Sequence, residues 1–245
     1  QRASSLANAL SDAAQRTDLD DRAFRAAAAL GTSALEREQY EMARVAWAQA
    51  VAHVRGQAPA DILARERART AQAVAMIAEH AANERAAARD QAYALLTDSM
   101  DALYPFAIEQ AANGEITPFQ AAYAEAAGWR AYGRATYTPR ELVRQTDLQG
   151  RAVCETYWSG GSGAGALIQG AFEGRTGVGV FRITTDDAGR IVSIDTAFVT
   201  PPQDFSTSIT PHLARLRARR ASGAEPGCLM PQVIFQTIVF VGVLR

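Results

Sequence analysis

Ser162 stands in the run Gly160-Gly161-Ser162-Gly163-Ala164, one substitution from the nucleophile elbow that exposes a catalytic serine on a sharp turn. That geometry needs a strand before the serine, a helix after it, and an acid and a histidine later in the chain. His212 is the one later histidine, and it sits at an expected helix start beside Pro211. The glycines that follow Ser162 oppose an immediate helix, so the run reads as a loop. A serine hydrolase using Ser162 stands as an alternative to the main reading. Phosphate binding by the same glycines lacks the GxGxxG spacing.

His53, His80 and His212 are isolated from one another, and none has a second histidine four residues away, so no zinc helix is written into the chain. Asp186 and Asp187 form one acidic pair in Asp186-Asp187-Ala188-Gly189, which a hairpin turn explains better than a cation site. No metal and no cofactor are expected. The two cysteines, Cys154 and Cys228, have neither a CxxC partner nor a neighbouring histidine. In an exported protein they would form one disulfide, closing a loop of about 75 residues and worth roughly 4 kcal/mol by loop-closure entropy. In a reducing compartment they would be two buried thiols.

All 25 basic side chains are arginine; the chain contains no lysine. Schiff-base lysines, Walker lysines and Ser-Lys dyads are therefore excluded. Against 26 acids the formal charge is -1, so no global cationic field draws the chain to nucleic acid. One basic cluster stands out: Arg215, Arg217, Arg219 and Arg220. On a helix, Arg215 and Arg219 would lie one turn apart, as a solvated face or as a contact for an acidic protein patch or anionic head groups.

The elements that carry these residues divide by composition. Alanine crowds the first 135 residues and favours closely packed helices, whereas most of the 18 glycines fall later, with the β-branched runs. The expected organisation is an N-terminal segment (1–20), an α-helical domain (21–135), a linker (136–150) that continues the stretch Gly133 to Pro139, and an α+β domain (151–245). Asp21 to Val54 reads as two helices broken near Glu38-Gln39. Pro59 opens a long helix to about Thr97, with a break reasonable near Asn83, and a further helix covers Met100 to Ala112. Thr117-Pro118 caps a fifth that runs to Trp129. In the second half, Arg151–Trp158, Ala166–Phe172, Gly177–Thr185, Arg190–Thr200 and Gln232–Val243 read as strands, and Ser208 or Thr210 to Ala221 as a helix. No run of about 18 apolar residues exists, so no transmembrane segment is expected.

Two stretches carry family resemblances. Leu30, Gly31, Ala34, Tyr40, Ala43, Trp47 and Ala50 stand at the spacing of a tetratricopeptide repeat, so about 24–57 resembles that family; the closing proline is replaced by Arg55. The resemblance implies stacked helices that present a concave surface to a partner or to the second domain. The second begins with Gly177-Val178-Gly179-Val180-Phe181-Arg182-Ile183, Asp187-Ala188-Gly189-Arg190-Ile191-Val192 and Phe198-Val199-Thr200-Pro201-Pro202. With the expected helix around Leu213–Leu216 and the strand Val233–Val243, the stretch of about 174–242 resembles the C-terminal domain of TonB-type energy transducers. That resemblance implies a strand–strand–helix–strand unit on the periplasmic side of the bacterial inner membrane, and partner binding by strand addition at the last strand.

The expected protein is thus an α+β, two-domain, non-catalytic envelope protein: a helical, tetratricopeptide-like domain followed by a TonB-like domain. Its expected role is protein–protein interaction as an accessory subunit of a larger, multi-protein assembly. Candidate partner-binding residues are Arg215, Arg219, Val233, Phe235, Thr237 and Val239. The soluble part of a TonB-type transducer is a further alternative. The first residue is Gln1, consistent with a periplasmic protein whose signal peptide has been removed or with an excised piece.

Overall fold

In the computed structural model, residues 20–83, 86–109, 115–132, 151–159, 177–200, 210–211 and 213–240 are described. They form an α+β protein. Five helices come first: α1 (20–36), α2 (Tyr40–His53), α3 (Pro59–Asn83), α4 (Ala86–Glu109) and α5 (Pro118–Tyr132). Five strands follow: β1 (Thr156–Ser159), β2 (Gly177–Thr185), β3 (Ile191–Thr200), β4 (Arg217–Arg220) and β5 (Val233–Phe240). The segment 1–19, the linker, the glycine run from Gly160 with Ser162, the strand expected at Ala166–Phe172, and His212 lie outside the described residues.

By packing, the chain divides into two compact units, Gln1–Ala102 and Leu103–Arg245. The division falls inside α4, three residues before Pro105, which cannot donate to the carbonyl one turn back. Composition changes later, near 135, because α5 is an alanine-rich helix that packs on the sheet.

In the first unit small residues set the helix spacing. Ala27, Ala50 and Ala68 meet in one cluster, and Ala34, Ala43 and Ala75 in another. The chain order of these contacts makes α1, α2 and α3 successively antiparallel. Alanine costs no side-chain entropy and lets the backbones approach closely. The break between α1 and α2 falls where expected. Glu38 adopts φ 60°, and the Gln39 N–H donates to the Ala34 carbonyl at 2.8 Å, which closes the helix end.

The break expected near Asn83 falls at residues outside the described ones; no break separates 97 from 100, and α4 runs through both. Thr97 Oγ1 donates within the helix to the Tyr93 carbonyl at 2.9 Å, and Ser99 Oγ donates across to Glu66 of α3 at 3.2 Å.

In the second unit a three-stranded antiparallel sheet has the order β3-β2-β5. β2 is central and all but one of its residues are buried, so it needs cover on both faces. One cover is α5. Its start is a capping box: Gln120 N–H donates to Thr117 Oγ1 (3.3 Å) and the Thr117 N–H to Gln120 Oε1 (3.0 Å). Gly128 of this helix has no Cβ because the Phe198 ring occupies that space, and the Trp129 ring lies 6.3 Å from the Phe198 ring. Val180, paired with Phe198, shares that face with Arg182 and Phe235.

The other cover corrects an expectation. The expected helix does not reach Ala221: the helical residues 210, 211 and 213 give way to strand β4, which pairs antiparallel with β1. Arg215, Arg217 and Arg219 alternate with Leu216 and Ala218, a period of two that suits a strand with Ala218 buried beneath. Trp158 and Leu216 pack with Leu213 on Phe181 and Ile183, so the β1–β4 ribbon closes the second face.

Candidate interaction surfaces

The β2–β3 hairpin anchors everything on the ribbon side. Asp186 Oδ1 accepts from the Ala188 N–H (2.9 Å) and the Arg190 N–H (2.8 Å), and Gly189 takes φ +72°. A left-handed glycine after a tight turn is the three-residue hairpin solution, so the acidic pair is turn chemistry, as expected. The Gly189 carbonyl accepts from the Ala218 N–H at 2.8 Å, and Arg190 bridges Arg217 across an antiparallel contact. A side chain at 189 would strike the Ala218 carbonyl. The ribbon is thus docked on the turn by backbone.

Cys154 and Cys228 form a disulfide, both buried, with Cα atoms 5.0 Å apart and a sequence separation of 74. Beside it the Cys154 N–H donates to the Leu229 carbonyl (2.7 Å) and the Leu229 N–H to the Ala152 carbonyl (2.9 Å). The bond ties the entry of β1 to the segment that leads into β5.

The expected partner strand has a specific disposition. Val233 and Phe235 are buried, Thr237 is half-buried on the same face, and the Val239 side chain lies outside the description. β5 pairs with β2 along one edge; among the described residues no strand pairs with its other edge. What β5 offers is backbone. Gln236, on the opposite face, accepts from Trp158 Nε1 (2.8 Å) and so ties β5 to the ribbon. Arg215 and Arg219 are both exposed, Arg219 on β4 and Arg215 just before it, and not one turn apart on a helix.

Among the repeat residues, Gly31, Ala34, Ala43 and Ala50 are buried, Tyr40 and Trp47 half-buried, and Leu30 is exposed. Gly31 faces Trp47, whose Nε1 lies 2.7 Å from where a Cβ would stand. Glycine is required there by the close approach of the ring.

Sequence reasoning missed two features. Glu66 of α3 is buried and accepts from Arg65 Nε (3.0 Å), Arg69 Nη1 (2.6 Å) and Ser99 of α4. Such a carboxylate is held by its full set of partners, and the cluster reads as a link between helices. The second is the pairing of Tyr157 with Arg219 across the ribbon. The alternation Arg215-x-Arg217-x-Arg219 was the available signal for a strand face; the register with Tyr157 had none.

Among the described residues no group of three or more His, Cys, Asp or Glu is placed to hold a metal, and no helix is long and apolar enough to cross a membrane. His53 Nδ1 lies 3.4 Å from Asp20 Oδ1 in the first unit. Comparison with protein-family models, with curated proteins and with solved structures finds no match for this chain.

Proposed function

We propose that this protein is a non-catalytic interaction subunit of the bacterial cell envelope, exposed to the periplasm, in which a TonB-like domain binds a protein partner by strand addition. The observation that carries the reading is the β3-β2-β5 sheet: both faces of its central strand are covered, while β5 pairs along one edge only among the described residues. Exposed strand edges are usually blunted or paired, so an unpaired one next to a covered core favours a partner strand. The disulfide supports an oxidising compartment. The glycine turn of the β2–β3 hairpin fits the TonB resemblance; where that resemblance implies one crossing helix, the chain has the β1–β4 ribbon. In the first unit, successive antiparallel helices packed through alanine support a tetratricopeptide-like stack.

The test is a photo-crosslinkable residue at Thr237, on β5, in protein expressed in its native envelope, with the same residue at Arg67 in α3 as control. A defined crosslinked protein at 237 and not at 67 is the expected result. A protein that crosslinks nothing at 237 and purifies alone from envelope extract would sink the reading.

A further inference from the structure

The β1–β4 ribbon has an inward face, Trp158 and Ala218, and an outward face on which Tyr157 stands directly opposite Arg219 and Ser159 opposite Arg217. Tyr157 is 53% exposed. Arg190 pairs with Arg217 from the other side, so two arginines lie across from each other with Arg219 two residues along β4. Like charges directly opposite across strands are unfavourable. No acid relieves them: among the described residues no ion pair includes Arg190, Arg215, Arg217, Arg219 or Arg220.

The guanidiniums are nevertheless aimed. Arg219 Nε donates to Ser159 Oγ (2.9 Å) and Arg217 Nε to the Ala188 carbonyl (3.0 Å). Each bond fixes one N–H and leaves the outer edge of the fork for a planar, two-oxygen acceptor.

We propose that this outward face, Tyr157 with Arg190, Arg217 and Arg219, docks an extended acidic protein segment that carries carboxylates on alternate residues. Side chains two apart on a strand repeat at about 6.6 Å, and an extended peptide with an acid–x–acid pattern has the same repeat. Bidentate pairing suits carboxylates, and a tyrosine flanked by arginines is the composition of an interface anchor. Glu155 and Asp187, both exposed, border this end of the unit. They would repel a broad anionic surface such as a membrane. The proposal rests on the interaction reading above and adds the chemistry of the partner.

The probe is a fluorescein-labelled decapeptide with aspartate at alternate positions and one phenylalanine, titrated by anisotropy into the full-length oxidised chain. Saturable binding is expected, at least tenfold weaker for the same peptide with asparagine at every aspartate. Arg219→Glu and Arg190→Glu should each weaken it at least tenfold, Arg219→Lys several-fold, and Tyr157→Ser several-fold. Circular dichroism and an intact disulfide by mass report folding, and Arg190→Glu keeps the test open if Arg219→Glu does not fold. Equal affinity for the two peptides overturns the proposal. So does tighter binding to vesicles of phosphatidylcholine with about 30% phosphatidylglycerol. If either occurs while Thr237 still crosslinks its partner, the ribbon proposal falls alone; loss of both results removes the interaction reading as well.

Discussion

Glu38 shows how one residue closes a helix at a cost. At φ 60° it occupies the left-handed region, where a side chain with a Cβ is strained by about 1 kcal/mol or more. Nothing compensates beyond the helix-closing hydrogen bonds to Ala34 and Leu35, both made by backbone. Glu38→Gly keeps those bonds and removes the strain, against a small loss through a more flexible unfolded chain. It should therefore stabilise the first unit by about 0.5–1 kcal/mol, read as a raised urea midpoint at an unchanged slope. Gly31 is the opposite case. Its neighbour is the Trp47 ring, so glycine there answers to space and not to backbone angle.

At the scale of elements, Gly189 carries two demands at once, a positive φ and contact with the β4 backbone. Gly189→Ala should cost more than about 2 kcal/mol, and hydrogen exchange should speed first at the Ala218 amide, which the Gly189 carbonyl accepts. The hairpin itself was readable, because its strands alternate and its turn is spelled by Asp186 and Gly189. The α5 start was readable for the same local reason, Thr117 and Pro118 being adjacent cap signals. The segment at 208–221 was not. Pro211, Leu213 and Leu216 fit a helix, and only the period of two from Arg215 to Arg219 argued for a strand. Pairing with β1 decided between them, and that pairing joins residues about 60 positions apart. For the candidate surface the same limit applies. Arg215 and Arg219 were legible as a cluster, while Tyr157 and Arg190 joined it through register alone.

At the scale of the whole molecule, the disulfide is the longest covalent constraint in the second unit. Closing a loop of this length is worth roughly 4 kcal/mol if the gain is mainly unfolded-state entropy. Reduction, or Cys154→Ser with Cys228→Ser, should then lower the stability of 103–245 by about that amount. The α1–α3 packing holds no cysteine and should keep its protection from hydrogen exchange. Amide exchange resolved by peptide mass spectrometry separates the two.

The place of β5 beside central β2 has a consequence for how the chain is made. β2 is complete some fifty residues before the strand that covers its second edge is synthesised. Until Val233 to Phe240 emerge, a buried, apolar strand waits half-paired. Maturation therefore runs against the direction of emergence, and the interval before the last strand arrives is when the chain most needs a holding chaperone.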